Sequence, residues 1–565
     1  MGISGKWTYG NLQSNCTFMM KISTILFIVC FSLLVAAQGK YLVYFKDRPH
    51  AVDQLKNPSS FLSEEAILRR ALQGITIDET DLPVEQSYVE EIRYAGGEVN
   101  HTLKWLNAVS VNLPTSEMVQ EVSKLEFVMK VECLQSLYSG RSVGVSKAEP
   151  VIALNYIPQS TDLYGVSYPQ HEMINIDKLH AMGYMGQGMR IAVFDAGFTN
   201  VNILDFFKRA RDENRIIPVW NYVFNDSDVY KGSSHGTYVL STQTAWKPGL
   251  MLGIAPEASY YLFVTEDDRS ESRVEEDNWA AAAEKADSMG ISIFSTSLGY
   301  STFDDELENY TYAQMDGRTS IITKAAAIAA RKGILVVNSA GNAGNSSWRH
   351  ITAPADADSV FTIGAVDTGL NLANFSSRGP NSRGVIKPDV CAQGVGTIVS
   401  ISNGLVGRSN GTSFSCPIIA AASACLWQAF PEVSSFEIMQ VIRNSSDRAN
   451  MPDNNFGYGI PDYYKAWKQI NNTWYEGGVS PQLQHFYPNP FDDELELVWF
   501  SDEDYVLKVE LFDFRGSVIA EEELQITSGS YDKILFKGLG GLQSGVYYVR
   551  LTHHGESTVS KLIKG

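Results

Sequence analysis

Cysteine is scarce in this sequence, with six residues in a chain of 565. So few cannot form a disulfide scaffold, and the absence of any CxxC pair or Cys/His cluster argues against structural zinc. Basic residues are also in deficit: 45 Lys and Arg stand against 64 Asp and Glu, for a formal net charge of −19. Because so acidic a surface repels phosphate backbones, we expect no nucleic-acid partner.

Long apolar runs are missing everywhere except near the N-terminus. There, Lys21 precedes the apolar residues 22–37, a run shorter than the roughly 20 residues that a membrane-spanning helix needs. This pattern predicts a signal peptide over residues 1–38, with no membrane span after its removal. A retained membrane anchor is the less favoured alternative. The polar residues 1–18 are unusual ahead of a signal peptide, which leaves Met19 and Met20 as alternative starts.

The whole sequence is 44% hydrophobic and 19% charged. This composition is typical of packed domains, of which a chain of this length should contain about three or four. Residues 39–139 carry the pattern of a small α+β domain, and residues 140–167, which show no strong period, are predicted to be an exposed connector. The segments that support the α+β assignment are three predicted strands, 41–45, 108–113 and 127–131, and one predicted helix, 117–125.

The middle of the chain, residues 168–470, alternates short apolar runs with helical segments. Fully apolar strands that alternate with helices predict an α/β domain whose parallel sheet is covered by helices on both faces. Such sheets place functional residues at the carboxyl ends of their strands. Residues 471–485 resemble a linker. Residues 486–565 contain short alternating strands separated by turn residues, which predicts a small β-sandwich.

Four residues of the middle domain could carry chemistry. Asp195 ends an apolar strand, His235 opens a helix, and Ser413 stands at the start of a long apolar helix. Asn342 follows another apolar strand, so its amide is expected to point into the same cleft as Ser413. Amide hydrolysis by serine needs a hydroxyl, a base, a group that orients the base, and donors for the oxyanion. Each residue alone could be a cap or a turn residue, but together they supply every part.

With these four residues in this order, the middle domain resembles the subtilisin family of serine endopeptidases over about residues 164–470. Ala196 and Tyr238 depart from the usual residues of the family, but neither change removes a catalytic group. The matching strings are VFDAGF around Asp195, SSHGTYV around His235, STSLGY over 295–300, NSAGNAG around Asn342 and NGTSFSCP around Ser413.

The resemblance implies a role for each residue. Ser413 is the nucleophile, His235 the general base and acid, and Asp195 its orienter. Asn342 is an oxyanion donor together with the backbone N–H of Ser413. Ser297, Leu298 and Gly299 fall where the family pairs the substrate backbone as an added strand beside the specificity pocket.

The flanking regions also resemble known domains. Residues 39–139 resemble the family's inhibitory propeptide, which implies self-cleavage between about Ser139 and Ser167; an unrelated accessory domain is the alternative. The last 80 or so residues resemble the C-terminal sorting domain of type IX secretion cargo in Bacteroidota, from the string YPNP at 487–490 to the terminal KLIK. This implies contact with the secretion machinery and a secreted or outer-surface location. A carbohydrate- or protein-binding sandwich is the alternative.

No organic cofactor is implied. Calcium often stabilises the family, and the oxygen-rich residues 225–228 could contribute ligands, but an acidic turn is favoured and no metal residue is assigned. A Cys391–Cys416 bridge is possible, although core packing explains both thiols. By the same resemblance, the acidic run 266–277 would line the rim of the cleft and favour basic substrates, although a solvated loop is the favoured interpretation.

We therefore interpret the sequence as a secreted serine endopeptidase that acts on proteins through an acyl-enzyme at Ser413. The alternative from another class is a non-catalytic surface binding or adhesion protein on a protease scaffold. A peptide ligase with the same residues also stays open.

Overall fold

The computed structural model describes residues 39–136, 151–154, 163–474, 483–487, 491–500, 504–513, 515–527 and 531–565. The predicted signal peptide, most of the predicted connector, and residues 488–490 of the YPNP string lie outside these ranges.

The N-terminal region is a four-stranded antiparallel sheet with helices on one side. The strands are Gly39–Phe45, Glu98–Leu103, Ala108–Leu113 and Val128–Ser136. The α-helices are Ala51–Gln54, Glu64–Leu72, Gln86–Tyr94 and Ser116–Ser123, and the short 3-10 turns are Pro58–Ser60 and Glu79–Asp81.

One strand of this sheet was not predicted. Glu98–Leu103 is the edge strand beside Ala108–Leu113. Its sequence, EVNHTL, is mostly polar. His101 Nε2 lies 2.8 Å from Asp277 Oδ2 of the middle domain, and Leu103 packs in the apolar core shared with that domain. A polar interface strand lacks the apolar alternation on which the prediction relied.

The middle region contains the predicted parallel sheet. Seven strands lie in the order 390–393, 361–366, 335–339, 293–296, 190–195, 259–264 and 216–221, and all pairs are parallel. In chain order the strands are Arg190–Asp195, Ile216–Asn221, Ser259–Val264, Ile293–Thr296, Leu335–Ser339, Phe361–Val366 and Val390–Gln393.

Helices cover both faces of this sheet. Alternate residues of one strand enter different cores: Ile191 and Val193 pack in one cluster, and Ala192 and Phe194 pack in the other. The α-helices are Tyr168–Glu172, Ile176–Ala181, Lys208–Asp212, His235–Thr244, Val274–Ser288, Ile321–Arg331, Thr412–Ala429, Ser435–Ser445 and Tyr463–Trp474. Short 3-10 turns occupy Asp205–Phe207, Glu306–Glu308 and Tyr312–Gln314.

Part of the predicted connector belongs to the middle domain. Val151–Ala153 pairs antiparallel with Val406–Ser409, which in turn pairs with Thr397–Ser400. Further along, the Ser167 side chain is buried and accepts a hydrogen bond from Leu252 N. The expectation of an exposed connector is therefore wrong for Ser167, whereas Ile152 in the paired strand is 71% exposed. A second small hairpin joins Trp246–Lys247 to Met251–Leu252.

The C-terminal region consists of two antiparallel sheets, of three and four strands. They enclose a separate core that includes Trp499, Leu507 and Leu551. The strands are Leu483–Tyr487, Leu495–Phe500, Tyr505–Asp513, Val518–Ile526, Tyr531–Phe536, Gly545–His553 and Glu556–Lys564, with a 3-10 turn at Leu539–Gly541. Among the described residues of the whole chain, no helix has the length and apolar character needed to cross a membrane.

Candidate active site

Three neighbouring strands of the parallel sheet bring the predicted site residues to one edge. Asp195 is the last residue of its strand, and Ser297–Gly299 directly follow the next strand in the sheet. Asn342 lies three residues after Leu335–Ser339, the strand beside that. Because parallel strands end at the same edge, residues separated by almost 150 positions line one cleft.

His235 reaches this edge from the first position of helix His235–Thr244. Its Nδ1 lies 2.8 Å from Asp195 Oδ1, which also accepts a hydrogen bond of 2.8 Å from Ala196 N. Asp195 is only 2% exposed. Gly236 permits the close approach of helix and strand, because a Cβ there would stand 2.9 Å from Asp195 Cβ. The imidazole is thus held at Nδ1, and His235 lines the cleft.

Ser413 occupies the first turn of helix Thr412–Ala429. The backbone N–H groups of a first turn have no intrahelical partner, and the helix dipole favours negative charge there. The Ser413 carbonyl accepts a hydrogen bond of 2.9 Å from Ser297 Oγ. This contact ties the start of the helix to the segment that follows the neighbouring strand.

Asn342 is oriented by Thr412, a residue that the sequence interpretation did not single out. Both the backbone N–H and the Oγ1 of Thr412 donate to Asn342 Oδ1, each at 2.9 Å. A backbone N–H can only donate, so the atom that faces it must be the amide oxygen. The Nδ2 donors of Asn342 therefore point away from Thr412. Thr412 directly precedes Ser413 in the string NGTSFSCP, so the sequence could have indicated this role, but the sequence analysis considered only the serine.

These side chains line a cleft of about 260 Å³. Its wall includes all seven predicted site residues: Asp195, His235, Ser297, Leu298, Gly299, Asn342 and Ser413. The acidic run 266–277 divides in two. Glu266, Asp268 and Glu271 line the cleft, whereas residues 275–277 are buried in helix Val274–Ser288.

A threonine that was not predicted lies behind this wall. A Cβ on Gly299 would collide with Thr352 Oγ1, and a Cβ on Gly341 would stand 2.9 Å from the same atom. The Thr352 side chain therefore fills the space between two glycines of the cleft wall. Its hydroxyl is buried and has no hydrogen-bond partner among the described residues. Thr352 and Gly341 are 11 residues apart, and no motif joins them.

Two further expectations concern metal and cysteine. In the loop at 225–228, Lys231 Nζ lies 2.7 Å from Asp226 Oδ2 and 3.6 Å from Asp228 Oδ2. Lys231 thus pairs with two carboxylates of the oxygen-rich turn. Across the described residues, no group of three or more His, Cys, Asp or Glu side chains is arranged to hold a metal. Calcium binding stays untested.

The possible Cys391–Cys416 bridge is absent, because both cysteines are free. Their thiols make separate contacts with backbone oxygens, Cys391 with Phe456 at 3.6 Å and Cys416 with Thr296 at 3.4 Å. Burial raises the pKa of the Cys416 thiol to about 12, so it stays protonated in the core.

Three regions of the chain match known protein families. Residues 186–459 match the subtilase family. The chain contains a subtilase domain. Residues 40–148 match the peptidase S8 propeptide domain of Bacteroidota, and residues 485–565 match the secretion system C-terminal sorting domain. These matches confirm the expected family, the propeptide and the type IX secretion domain, and they identify a secreted or cell-surface serine endopeptidase.

Individual relatives agree with the family assignment. The subtilase is 28% identical to subtilisin E of Bacillus subtilis (strain 168) over 368 residues, which cover 64% of this chain and 81% of that protein. It is 29% identical to the thermophilic serine proteinase of Bacillus sp. (strain AK1) over 371 residues, 64% of this chain and 82% of that protein. It is also 26% identical to the human membrane-bound transcription factor site-1 protease over 328 residues, 55% and 28% of the two chains.

Proposed function

We propose that this subtilase cleaves peptide bonds through Ser413, His235 and Asp195, with Asn342 as an oxyanion donor. The observation that carries the proposal is the hydrogen bond of 2.8 Å between His235 Nδ1 and the buried Asp195. A carboxylate at Nδ1 fixes the tautomer whose Nε2 can accept a proton from a serine hydroxyl.

The proposed reaction has two halves. Ser413 Oγ attacks the carbonyl carbon of the scissile bond while His235 Nε2 takes the hydroxyl proton. The C–N bond then breaks, His235 returns that proton to the leaving amine, and an acyl ester on Ser413 remains. In the second half a water molecule gives a proton to His235, attacks the ester carbon, and releases the acid as Ser413 regains its proton.

Charge on the substrate oxygen would be stabilised from two sides. The Nδ2 group of Asn342 points away from Thr412, and the backbone N–H of Ser413 lies in the first turn of its helix. Donors that are held in position before substrate binds would be effective in this role. Ser297, Leu298 and Gly299 are the proposed pairing edge for the substrate backbone, because they follow a strand and line the cleft.

The domain boundaries belong to the same proposal. Residues 39–139 would act as the inhibitory propeptide and be cut from the remainder during maturation. Cleavage after Ala153 would remove strand Val151–Ala153 from the sheet that it forms with Val406–Ser409. We therefore expect the mature chain to keep this strand.

The test is intact mass over time for the purified chain that begins at Gly39, with a Ser413→Ala variant beside it. Ser415→Ala is the matched control, because Ser415 lies on the same helix and its Oγ donates to the Thr412 carbonyl at 3.1 Å. We expect the wild type and Ser415→Ala to trim themselves and to react with a fluorophosphonate probe. Ser413→Ala should stay whole and unlabelled.

Two results would contradict the proposal. Probe labelling of Ser413→Ala would move the nucleophile elsewhere. If all three proteins stay whole and leave a general protein substrate untouched, the non-catalytic binding protein becomes the better interpretation. A ligase would be recognised by joined peptides in the presence of an added amine nucleophile.

A further inference from the structure

A second contact between propeptide and catalytic domain lies far from the cleft. It is formed by helix Glu64–Leu72 of the propeptide and the C-terminal ends of two catalytic-domain helices, Val274–Ser288 and Ile321–Arg331. We call it the arginine anchor and define it by six residues: Arg69, Arg70 and Asp81 of the propeptide, and Asp287, Lys332 and Gly333 of the catalytic domain.

Arg69 joins the ends of the two catalytic-domain helices. Its Nη1 donates to the Ile291 carbonyl at 2.5 Å and its Nε to the Lys332 carbonyl at 3.3 Å. Its Nη2 also pairs with the Asp287 carboxylate. Carbonyl groups at a helix C-terminus lack intrahelical donors and carry partial negative charge, so a guanidinium suits this position. Arg69 is 5% exposed.

Arg70 and Lys332 form ion pairs that cross the interface in opposite directions. Arg70 of the propeptide contacts both carboxylate oxygens of Asp287, at 3.0 and 2.9 Å. In the opposite direction, Lys332 of the catalytic domain contacts Asp81 of the propeptide at 2.8 Å. Each domain thus supplies both a cation and an anion to its partner, and Arg70 also contacts Asp81 within the propeptide at 2.6 Å.

The backbone fits as closely as the charges. Gly290 and Gly333 follow the two helices with φ of +77° and +82°. A Cβ at Gly290 would stand 2.5 Å from Glu65 Cβ, and one at Gly333 would stand 2.7 Å from Ile75 Cδ1. Gln73 Nε2 donates to the Gly333 carbonyl at 2.9 Å. The propeptide chain thus runs directly over both glycines.

The anchor and the cleft occupy opposite edges of the parallel sheet. Asp287 and Lys332 come just before strands Ile293–Thr296 and Leu335–Ser339, whereas Ser297 and Asn342 follow the same two strands. Strands of four or five residues separate the two edges by about 15 Å. A contact at the anchor can therefore persist when the cleft changes its occupant.

We propose that the arginine anchor is a binding site, separate from the cleft, whose charged contacts set the rate at which the cut propeptide leaves the catalytic domain. This inference rests on the proposed inhibitory role of residues 39–139. Its basis is the set of charge-assisted hydrogen bonds that cross between buried groups of the two domains, all of which are lost when the propeptide leaves.

Protonation state supports the pairing. Burial opposes ionisation of Asp287, but Arg69, Lys104 and Arg70 outweigh it and hold the pKa of Asp287 below its ordinary value. The carboxylate is therefore charged at neutral pH, as pairing with two arginines requires.

The experiment uses the full chain with Ser413→Ala and a recognition sequence for a specific added protease within residues 137–150. The added protease cuts the chain whether or not the subtilase is active, so a failure of the anchor and a failure of the proposed catalysis give different results. Release of the cut propeptide is followed by gel filtration and native mass spectrometry, in Arg69→Ala/Arg70→Ala and in the parent.

We expect the double variant to release the propeptide at least 30-fold faster than the parent. The matched control is Lys56→Ala/Lys124→Ala, which removes the same charge from exposed positions of the propeptide. The control should stay within twofold of the parent. A release rate for the arginine variant that equals that of the control overturns the proposal and leaves these residues a role in folding alone.

A second variant guards against a propeptide that does not fold. Lys332→Met changes only the catalytic domain and removes its cation from Asp78 and Asp81. It should release the propeptide about tenfold faster and, in the active chain, leave kcat/KM of the freed protease unchanged. Unchanged release in a Lys332→Met protein that unfolds cooperatively would also reject the anchor.

Discussion

The two edges of the catalytic sheet treat charge in opposite ways. At the carboxyl edge, the single carboxylate–imidazole pair of Asp195 and His235 stands beside helix N-terminal donors that face an open cleft. At the amino edge, buried arginines and aspartates pair with one another at helix C-termini. Helices that run antiparallel to the strands produce this polarity, because they place positive dipole ends at one edge and negative ends at the other. One edge is suited to charge that develops during reaction, the other to permanent charge.

The largest expected effect comes from Asp195→Asn at the carboxyl edge. The amide would favour the wrong imidazole tautomer, and we expect kcat to fall about 10⁴-fold, as the equivalent change does in trypsin-like proteases. The measurement is steady-state hydrolysis of a peptide library substrate, with the half-exposed Asp228→Asn as control. A loss below tenfold would show that this carboxylate does not orient the base.

The next effect tests whether the cleft is built for developing charge. Asn342→Ala removes one proposed oxyanion donor, and removal of the corresponding donor in subtilisin costs about 10²–10³-fold in kcat. We expect a loss of that size with little change in KM, since the donor acts on the transition state. If KM rises instead and kcat is kept, Asn342 binds substrate rather than the oxyanion.

A pH series probes the propeptide side of the comparison. Burial raises the pKa of Glu284 to about 8, although Lys104 N and Trp105 N of the propeptide donate to its oxygens at 2.6 and 2.8 Å. Loss of the propeptide opens this site to water and returns the pKa toward its ordinary value of about 4.3. The complex therefore holds an extra proton between these values.

Binding of the propeptide is therefore coupled to uptake of a proton by Glu284. The contribution of Glu284 to propeptide affinity should be complete below about pH 4.3 and be lost as pH rises from there through 8, by at most about tenfold per pH unit. The charged neighbours of Glu284 include Lys104, Asp287 and Arg48. Release of the cut propeptide between pH 5 and 9 gives the profile, and Glu284→Gln should flatten it. A profile of the same slope in that variant would assign the titration to another group.

The smallest effect concerns Thr412, which positions Asn342. Thr412→Val keeps the backbone donor to Asn342 Oδ1 but removes the Oγ1 donor. We expect kcat to fall about five- to tenfold with KM unchanged. In an Asn342→Ala background the same substitution should cost almost nothing, because the residue that it positions is gone. Additive losses in the double variant would mean that Thr412 acts through the helix instead.

The fold and the candidate site differ in how far the sequence could predict them. Apolar strands such as residues 191–194 predicted the parallel sheet, and the order Asp195, His235, Asn342, Ser413 indicated the candidate site. Strand Glu98–Leu103 was missed because its polar residues face another domain. Val151–Ala153 was missed because three residues are too few to show a period, and only their partner strand makes them a sheet.

By itself, the sequence predicted the class of fold, the signal peptide, the sorting domain and the candidate residues for amide hydrolysis, because these predictions depend on local periodicity and short motifs. Only the tertiary structure shows that Thr412 donates to Asn342 and that Arg70 of the propeptide binds Asp287. Thr412 acts on a residue 70 positions away, and Arg70 on one 217 positions away. Hydrogen bonds and ion pairs depend on distance in space, and only the folded sheet brings these groups within 3 Å.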